Sequence, residues 1–166
     1  YINGKVLDVG SGAGFPGLVI KIEKPETVVT LIDSVRKKTD YLSEAIKELG
    51  LENITAVHTR IEDMAVKESY YTVTARAVAR MATLAEYCLP FVRTGGAFVA
   101  YKSEGGEEEL NEAEKVIRLL GGKVERDELL SLDEDTKRRI IVIRKVRPSP
   151  AGYPRSGNKP RLKPIM

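Results

Sequence analysis

A chain of 166 residues is long enough for one domain with a true core plus appendages, and its single cysteine, Cys88, excludes a disulfide framework. No apolar run approaches the roughly 18 to 20 residues that span a bilayer, and no signal-peptide pattern is present, so a soluble, cytoplasmic protein with no membrane partner is expected. The formal charge of +3 hides a segregation: residues 137–166 carry ten Lys or Arg and no acid, which leaves 17 basic against 24 acidic residues in the rest.

Tyr1-Ile-Asn-Gly runs straight into an apolar segment without an initiator methionine, and a preceding segment is expected. Val6–Val9 reads as the first strand, Val28–Ile32 as the second, Ile54–Thr59 as the third, Thr72–Ala75 as the fourth and Ala97–Tyr101 as the fifth. Between the second and third, Val35, Leu42, Ala45, Ile46 and Leu49 recur at helical spacing, and Gly50 stands where a left-handed cap belongs. A helix over Leu84–Val92 is expected to end at Gly95-Gly96. Another opens on Glu107-Glu108-Glu109, where acids suit a helix N-terminus, and ends at Gly121-Gly122. Lys123–Glu128 and Arg139–Val146, joined by Asp133-Glu134-Asp135, read as a terminal antiparallel pair. Strands alternating with amphipathic helices place the chain in the α/β class, with a parallel sheet covered by helices.

Chemistry concentrates at the first strand's end. Asp8-Val9-Gly10-Ser11-Gly12-Ala13-Gly14 lets the backbone turn sharply and approach a ligand, and Pro16-Gly17 opens the next helix. The carboxyl edge of strand one is where open α/β sheets bind cofactors. The dinucleotide fingerprint requires glycine five residues after its first glycine, but Phe15 stands there, which weighs against an NAD-dependent oxidoreductase. Asp33 ends the second strand, where a carboxylate can accept hydrogen bonds from both hydroxyls of a ribose. The N-cap of the following helix is assigned to Ser34. Arg60-Ile61-Glu62-Asp63 occupies the third position of the same edge, an apolar cover beside a polar edge, or simply an acidic helix start.

The acid-glycine loop resembles motif I of class I S-adenosylmethionine methyltransferases. Leu7-Asp8-Val9-Gly10-Ser11-Gly12-Ala13-Gly14-Phe15-Pro16-Gly17, then Leu31-Ile32-Asp33-Ser34 with Lys37-Lys38, then Thr74-Ala75-Arg76-Ala77-Val78-Ala79 together resemble one family more narrowly. It is the glucose-inhibited division protein B family, also called ribosomal small-subunit methyltransferase G, and the likeness runs from about residue 4 to residue 145. It implies a Rossmann-like class I fold with a mostly parallel seven-stranded sheet and helices on both faces over residues 1–146. Residues 147–166 then form a basic, proline-rich C-terminal arm. It further implies S-adenosyl-L-methionine as cofactor, with 16S-type ribosomal RNA or the small-subunit particle as partner. The activity implied is methyl transfer to one guanine N7, with no metal. Carried over by motif, Asp8, Gly10, Gly12, Gly14, Phe15, Asp33, Ile61, Glu62 and Arg76 are the expected cofactor residues, with Arg76 also the catalytic candidate. The family's N-terminal helical segment is absent from this sequence. Without it, cofactor binding is expected to survive and RNA methylation to fail.

Residue chemistry agrees with N7. Amino-group methyltransferases place an Asn/Asp-Pro-Pro-aromatic clamp after the fourth strand, and Thr74-Ala75-Arg76 is no such clamp. Pyrimidine C5 methylation needs a thiolate, but Cys88 lies in an apolar helix and reads as core. Guanine N7 has an in-plane lone pair and no proton, so no general base is needed, and His58 reads as structural. Arg76 offers a planar fork of donors to the guanine or the cofactor carboxylate.

Lys102, at the end of strand five, and the basic residues Arg144, Lys145, Arg147, Arg155, Lys159, Arg161 and Lys163 are the expected RNA contacts, since each phosphate neutralised releases counterions. Pro148, Pro150, Pro154, Pro160 and Pro164 predict an extended arm without a regular element. The alternative is a structural strap anchored by Tyr153 and Leu162. A methyltransferase acting on another RNA, a small molecule or a protein fits the same loop, and an RNA-binding module with a degenerate site is a further reading.

Overall fold

In a computed structural model that describes residues 2–76, 78–131 and 136–166, seven strands form one sheet in the order β3-β2-β1-β4-β5-β7-β6. The strands are β1 (Val6–Val9), β2 (Val29–Asp33), β3 (Ile54–His58), β4 (Tyr70–Arg76), β5 (Val92–Ser103), β6 (Gly122–Ser131) and β7 (Lys137–Lys145). The first five run parallel, while β7 pairs antiparallel with β5 and β6 antiparallel with β7. All four residues of β1 are buried, as befits a central strand covered on both sides. The Rossmann-like fold expected from the sequence is what forms.

Alternation along the strands separates two cores. Leu7, Val9, Ile32, Val73 and Phe98 meet the helices α3 (Met81–Cys88), α4 (Gly106–Glu112) and α5 (Glu114–Leu119). Val6, Val29 and Leu31 meet Leu18 and Ile20 of α1 (Gly17–Glu23) and Leu42 of α2 (Arg36–Glu48).

Three elements depart from expectation. The helix expected over Leu84–Val92 ends at Cys88, because Pro90 has no amide hydrogen to continue the ladder. A 3-10 turn over Leu89–Phe91 follows, and β5 starts at Val92 and runs through Gly95-Gly96. The helix expected to begin at Glu107 divides at Ala113, whose amide is shared between the carbonyls of Glu109 and Leu110 as the winding tightens. The arm contains a regular element after all, the single turn α6 (Lys159–Leu162), in whose first turn Pro160 has no amide hydrogen to leave unpaired. Ala77 and the turn Asp133-Glu134-Asp135 lie outside the described residues.

Candidate active site

The carboxyl ends of β1 to β4 open onto a cleft of about 550 Å³ lined by Val9, Gly10, Ile32, Asp33, Arg60, Ile61, Glu62 and Arg76 among others. Of the glycine loop, Gly10 is the residue that lines it. The amides of Gly10 and Ser11 both donate to the Ile32 carbonyl, at 2.9 and 3.0 Å, which fastens the loop to β2. Gly10 is held at φ +69°, and a Cβ there would come within 2.7 Å of a Val78 methyl. Only glycine tolerates both the backbone angle and the contact.

Asp33 is 6% exposed, and its two oxygens are already oriented. Oδ1 accepts the Val35 amide at 2.9 Å and Oδ2 accepts the Gly12 amide at 3.0 Å, with Lys38 Nζ 3.7 Å from Oδ2. Each carboxylate oxygen keeps a second lone-pair position, so two outside hydroxyls can still be accepted. The helix cap differs from the Ser34 assignment. Val35 is the extended N-cap residue without a side-chain cap, and Asp33 takes its amide.

After β3, Ile61 and the Glu62 side chain are each only 6% exposed, and Arg60 Nη1 lies 3.7 Å from Glu62 Oε1. Near them stands Tyr87 of α3, whose phenol pKa is pushed up first by burial and then by the Glu62 charge. Asn158 and Arg161, from the arm, complete the wall. Tyr87 and Asn158 carry no motif, and local sequence offers no signal for them, while Arg161 is expected from the sequence at RNA rather than in this wall.

Several expected residues stand elsewhere. Asp8 is fully buried beneath the loop and does not line the cleft. Its Oδ1 accepts the Thr74 hydroxyl at 2.7 Å and its Oδ2 the Gly17 amide at 3.1 Å, so it braces β1 against β4 and α1. Burial raises its pKa, against the lowering effect of the bonds from Thr74, Ser11 and Gly17 and the Arg76 charge. Gly12 serves through its amide to Asp33, and Gly14 packs on Leu18; neither lines the cleft. Phe15 is 49% exposed and lines a neighbouring hollow of about 390 Å³ with Ile2, Pro16, Val19 and Tyr101. Arg76 lines both spaces.

The expected RNA set divides. Lys145 is fully buried, donating to the Leu89 carbonyl at 2.7 Å and the Ser149 hydroxyl at 2.5 Å, which withdraws it from any RNA contact. Lys102, its side chain 8% exposed, is bound to Glu109 at 2.6 Å and the Ala79 carbonyl at 3.0 Å. Arg144 forks onto Glu125 at 2.6 and 3.0 Å, and Arg155 onto the buried Glu86 at 2.8 and 2.7 Å. Arg147 is exposed and donates to the Arg118 carbonyl, while Lys159, Arg161 and Lys163 are also exposed. Of the two anchors considered for a strap, Tyr153 packs on the larger core and Leu162 is 78% exposed. Cys88 is fully buried in the core, its thiol pKa raised well above the usual value by desolvation. His58 Nε2 lies 3.1 Å from the Ser34 carbonyl. Among the described residues no group of three or more His, Cys, Asp or Glu could hold a metal ion, and no helix is long and apolar enough to cross a membrane.

The sequence profile of the family described as rRNA small subunit methyltransferase G matches residues 1–141. The ribosomal RNA small subunit methyltransferase G of Lachnoclostridium phytofermentans is 48% identical over 166 residues, which span 97% of this chain and 69% of that protein. The protein of the same name from Lactobacillus helveticus is 45% identical over 163 residues, 95% of this chain and 68% of that one. Among solved structures, an rRNA methylase from Streptococcus thermophilus matches with a TM-score of 0.65 at 17% identity, covering 87% of this chain and 88% of the other. Geranyl diphosphate C-methyltransferase from Streptomyces coelicolor, solved with Mg2+, geranyl diphosphate and S-adenosyl-L-homocysteine, matches with a TM-score of 0.69 at 11% identity, covering 87% and 73%. At these identities the structural likeness is one of fold.

Proposed function

Because the chain belongs to the rRNA small subunit methyltransferase G family, we propose that it transfers the methyl group of S-adenosylmethionine to N7 of a guanine in 16S-type ribosomal RNA. The observation that carries this reading is the position of Arg76, shared between a polar cleft that suits the cofactor and a largely apolar hollow, with Phe15 and Tyr101 in its lining, that suits a base. An RNA substrate of this kind places the work in the cytoplasm.

The residues present fit the cofactor. Asp33 keeps free lone pairs toward the cleft for a ribose, Ile61 offers an apolar surface to adenine, Glu62 an acceptor, and Gly10 a backbone that a ligand can approach. S-adenosylmethionine, when bound, supplies an electrophilic sulfonium methyl. What remains for the protein is to hold guanine N7 in line and keep water away. Phe15, Tyr101 and Arg76 surround the hollow where a base would stack, and the Arg76 fork can donate to its acceptor edge. N7 carries no proton, so the reaction calls for no general base, although the Glu23 carboxylate is among the residues that line the hollow. Asp8 is sealed below the loop, His58 faces Ser34, and Cys88 is core. Residues 147–166 are read as an arm folded onto the domain, with Lys159 and Lys163 the residues free to meet phosphate.

Mass mapping of small-subunit ribosomal RNA from cells with and without the gene tests substrate, base and position at once. The expected result is loss of one N7-methylguanine, restored by the intact gene and not by Arg76→Ala. Unchanged modification would sink the reading in favour of another RNA, a small molecule or a protein as substrate. Methylation of naked RNA and of isolated particles in parallel identifies which of them is recognised.

A further inference from the structure

The arm follows a defined path over the domain and passes along the cleft. The Ser149 hydroxyl donates to the Leu120 carbonyl at 2.8 Å, and the Ser149 amide to Glu68 at 2.9 Å. Lys67 donates to the Tyr153 carbonyl, and Pro154 and Pro160 are buried. Arg155 offers its amide and both ends of its guanidinium to Glu86, which is 1% exposed in α3. Thr83, also in α3, donates to the Pro160 carbonyl at 3.1 Å. These contacts fix the turn between Arg155 and Leu162 against α3, and that turn brings Asn158 and Arg161 to the cleft wall. Arg161 Nη2 donates to the Val78 carbonyl at 3.2 Å, and Val78 in turn packs on Gly10 of the loop. The charge of Arg161 is also felt at the Tyr87 hydroxyl, together with that of Glu62.

We propose that the arm is part of the cofactor site: Asn158 and Arg161 close the cleft over the adenosine end of S-adenosylmethionine, opposite Ile61 and beside Glu62 and Tyr87. This rests on the cofactor reading above. Asp33, at the end of β2, marks the ribose, and the strand order β3-β2-β1-β4 sets Ile61 and Glu62, which follow β3, on the other side of it from Gly10 and Arg76, so the base lies at that end. An adenine edge presents ring-nitrogen acceptors beside an amino donor. Arg161 supplies donors, Glu62 an acceptor, and the Asn158 amide can give or take. A basic residue expected from the sequence to meet RNA phosphate thereby takes a different partner, a neutral heterocycle held by hydrogen bonds and by stacking against a guanidinium.

Calorimetry on the full chain with two ligands tests the proposal: S-adenosylhomocysteine, and 5′-methylthioadenosine, which lacks the amino-acid portion. Arg161→Ala and Asn158→Ala should each weaken both ligands by the same factor, roughly tenfold for Arg161→Ala. Arg161→Lys, which keeps the charge without the fork, should fall between. Urea unfolding of each variant checks that the arm stays docked, and Asn158→Ala and Arg161→Lys keep the test open if Arg161→Ala unfolds. Affinity for both ligands unchanged from the intact chain in folded Arg161→Ala and Asn158→Ala proteins overturns the proposal, most directly if RNA affinity falls instead. The control separates this failure from that of the cofactor reading. If the intact chain binds neither ligand, the cofactor assignment fails, whereas binding that Asp33→Ala weakens and the arm variants do not condemns the arm alone.

Discussion

The guanidinium of Arg76 lies over the Phe15 ring, 5.5 Å from its centroid, and while Arg76 lines both the cleft and the neighbouring hollow, Phe15 lines the hollow alone. A cation held over an aromatic face gains roughly 0.5 to 1 kcal/mol at an exposed site, enough to orient the side chain without burying it. Of two residues that the sequence suggested as cofactor contacts, Arg76 thus faces both spaces and Phe15 one.

Arg76→Ala should lower single-turnover methyl transfer roughly 100-fold, the scale on which misplacement of reacting groups acts. Arg76→Lys should recover little, because an ammonium has neither the planar fork nor the stacking face. Rapid-quench measurement with saturating cofactor reads the chemical step. Transfer at the wild-type rate in Arg76→Lys would reduce the residue to a point charge.

Asp33→Ala should weaken S-adenosylhomocysteine by about 1 to 3 kcal/mol, since charge-assisted acceptors are lost. The geometry adds a sharper expectation for Asp33→Asn. Each oxygen accepts a backbone amide, from Val35 and from Gly12, and an Asn side chain has only one acceptor atom to offer, so one N–H is set against an NH2. Asp33→Asn should therefore bind no better than Asp33→Ala. Near-normal calorimetric affinity in Asp33→Asn would place the ribose elsewhere.

Much of the fold was legible because β1, β2 and β7 obey plain rules: runs of buried apolar residues, a glycine loop at the first strand's end, helical periodicity before Gly50. The family followed from loop chemistry. Lys145 was misread as a surface cation although alternation held the signal, since Ile141, Ile143 and Lys145 share one face of β7 and all three are fully buried. The arm could not be read in the same way. Its anchor, Glu86, lies 69 residues before Arg155 in an otherwise apolar helix, and no local pattern announces that pairing. The same non-locality hid Tyr87, Asn158 and Arg161, which meet only once the arm is docked.

Asp8 makes stability depend on pH in a definite sense. Desolvation raises its pKa above the ordinary 3.8, so the unfolded chain is the stronger acid at this position. Its contribution is present in full below the unfolded value and is lost as pH rises through the raised folded value. Asp8→Asn does not titrate, so its stability relative to the intact protein should improve as pH climbs from 3.8 toward neutrality. Urea unfolding of both proteins across that range, at matched m-values, measures the difference. A difference that stays constant with pH would mean that the carboxylate keeps its ordinary affinity for protons inside the fold.

The last prediction concerns the latch of the arm, where Arg155 surrounds a Glu86 carboxylate that water scarcely reaches. Removing one partner of such a pair leaves a buried charge without compensation, so Arg155→Met should cost about 3 kcal/mol of stability. Replacing both, as Arg155→Met with Glu86→Leu, removes the charge itself and should restore most of that loss. The same variants decide what Arg155 does toward RNA. A guanidinium already forked onto Glu86 releases few phosphate counterions, so the double variant should keep the wild-type slope of log affinity against log salt. Lys159→Ala and Lys163→Ala, both exposed, should each flatten that slope by roughly 0.7 to 0.9. Filter binding of small-subunit RNA across a salt series supplies the slopes, and denaturant unfolding supplies the stabilities. A flattened slope in a stable double variant would return Arg155 to the RNA. A single Arg155→Met variant as stable as the intact protein would instead show that the arm is held by its prolines and Tyr153 rather than by the ion pair.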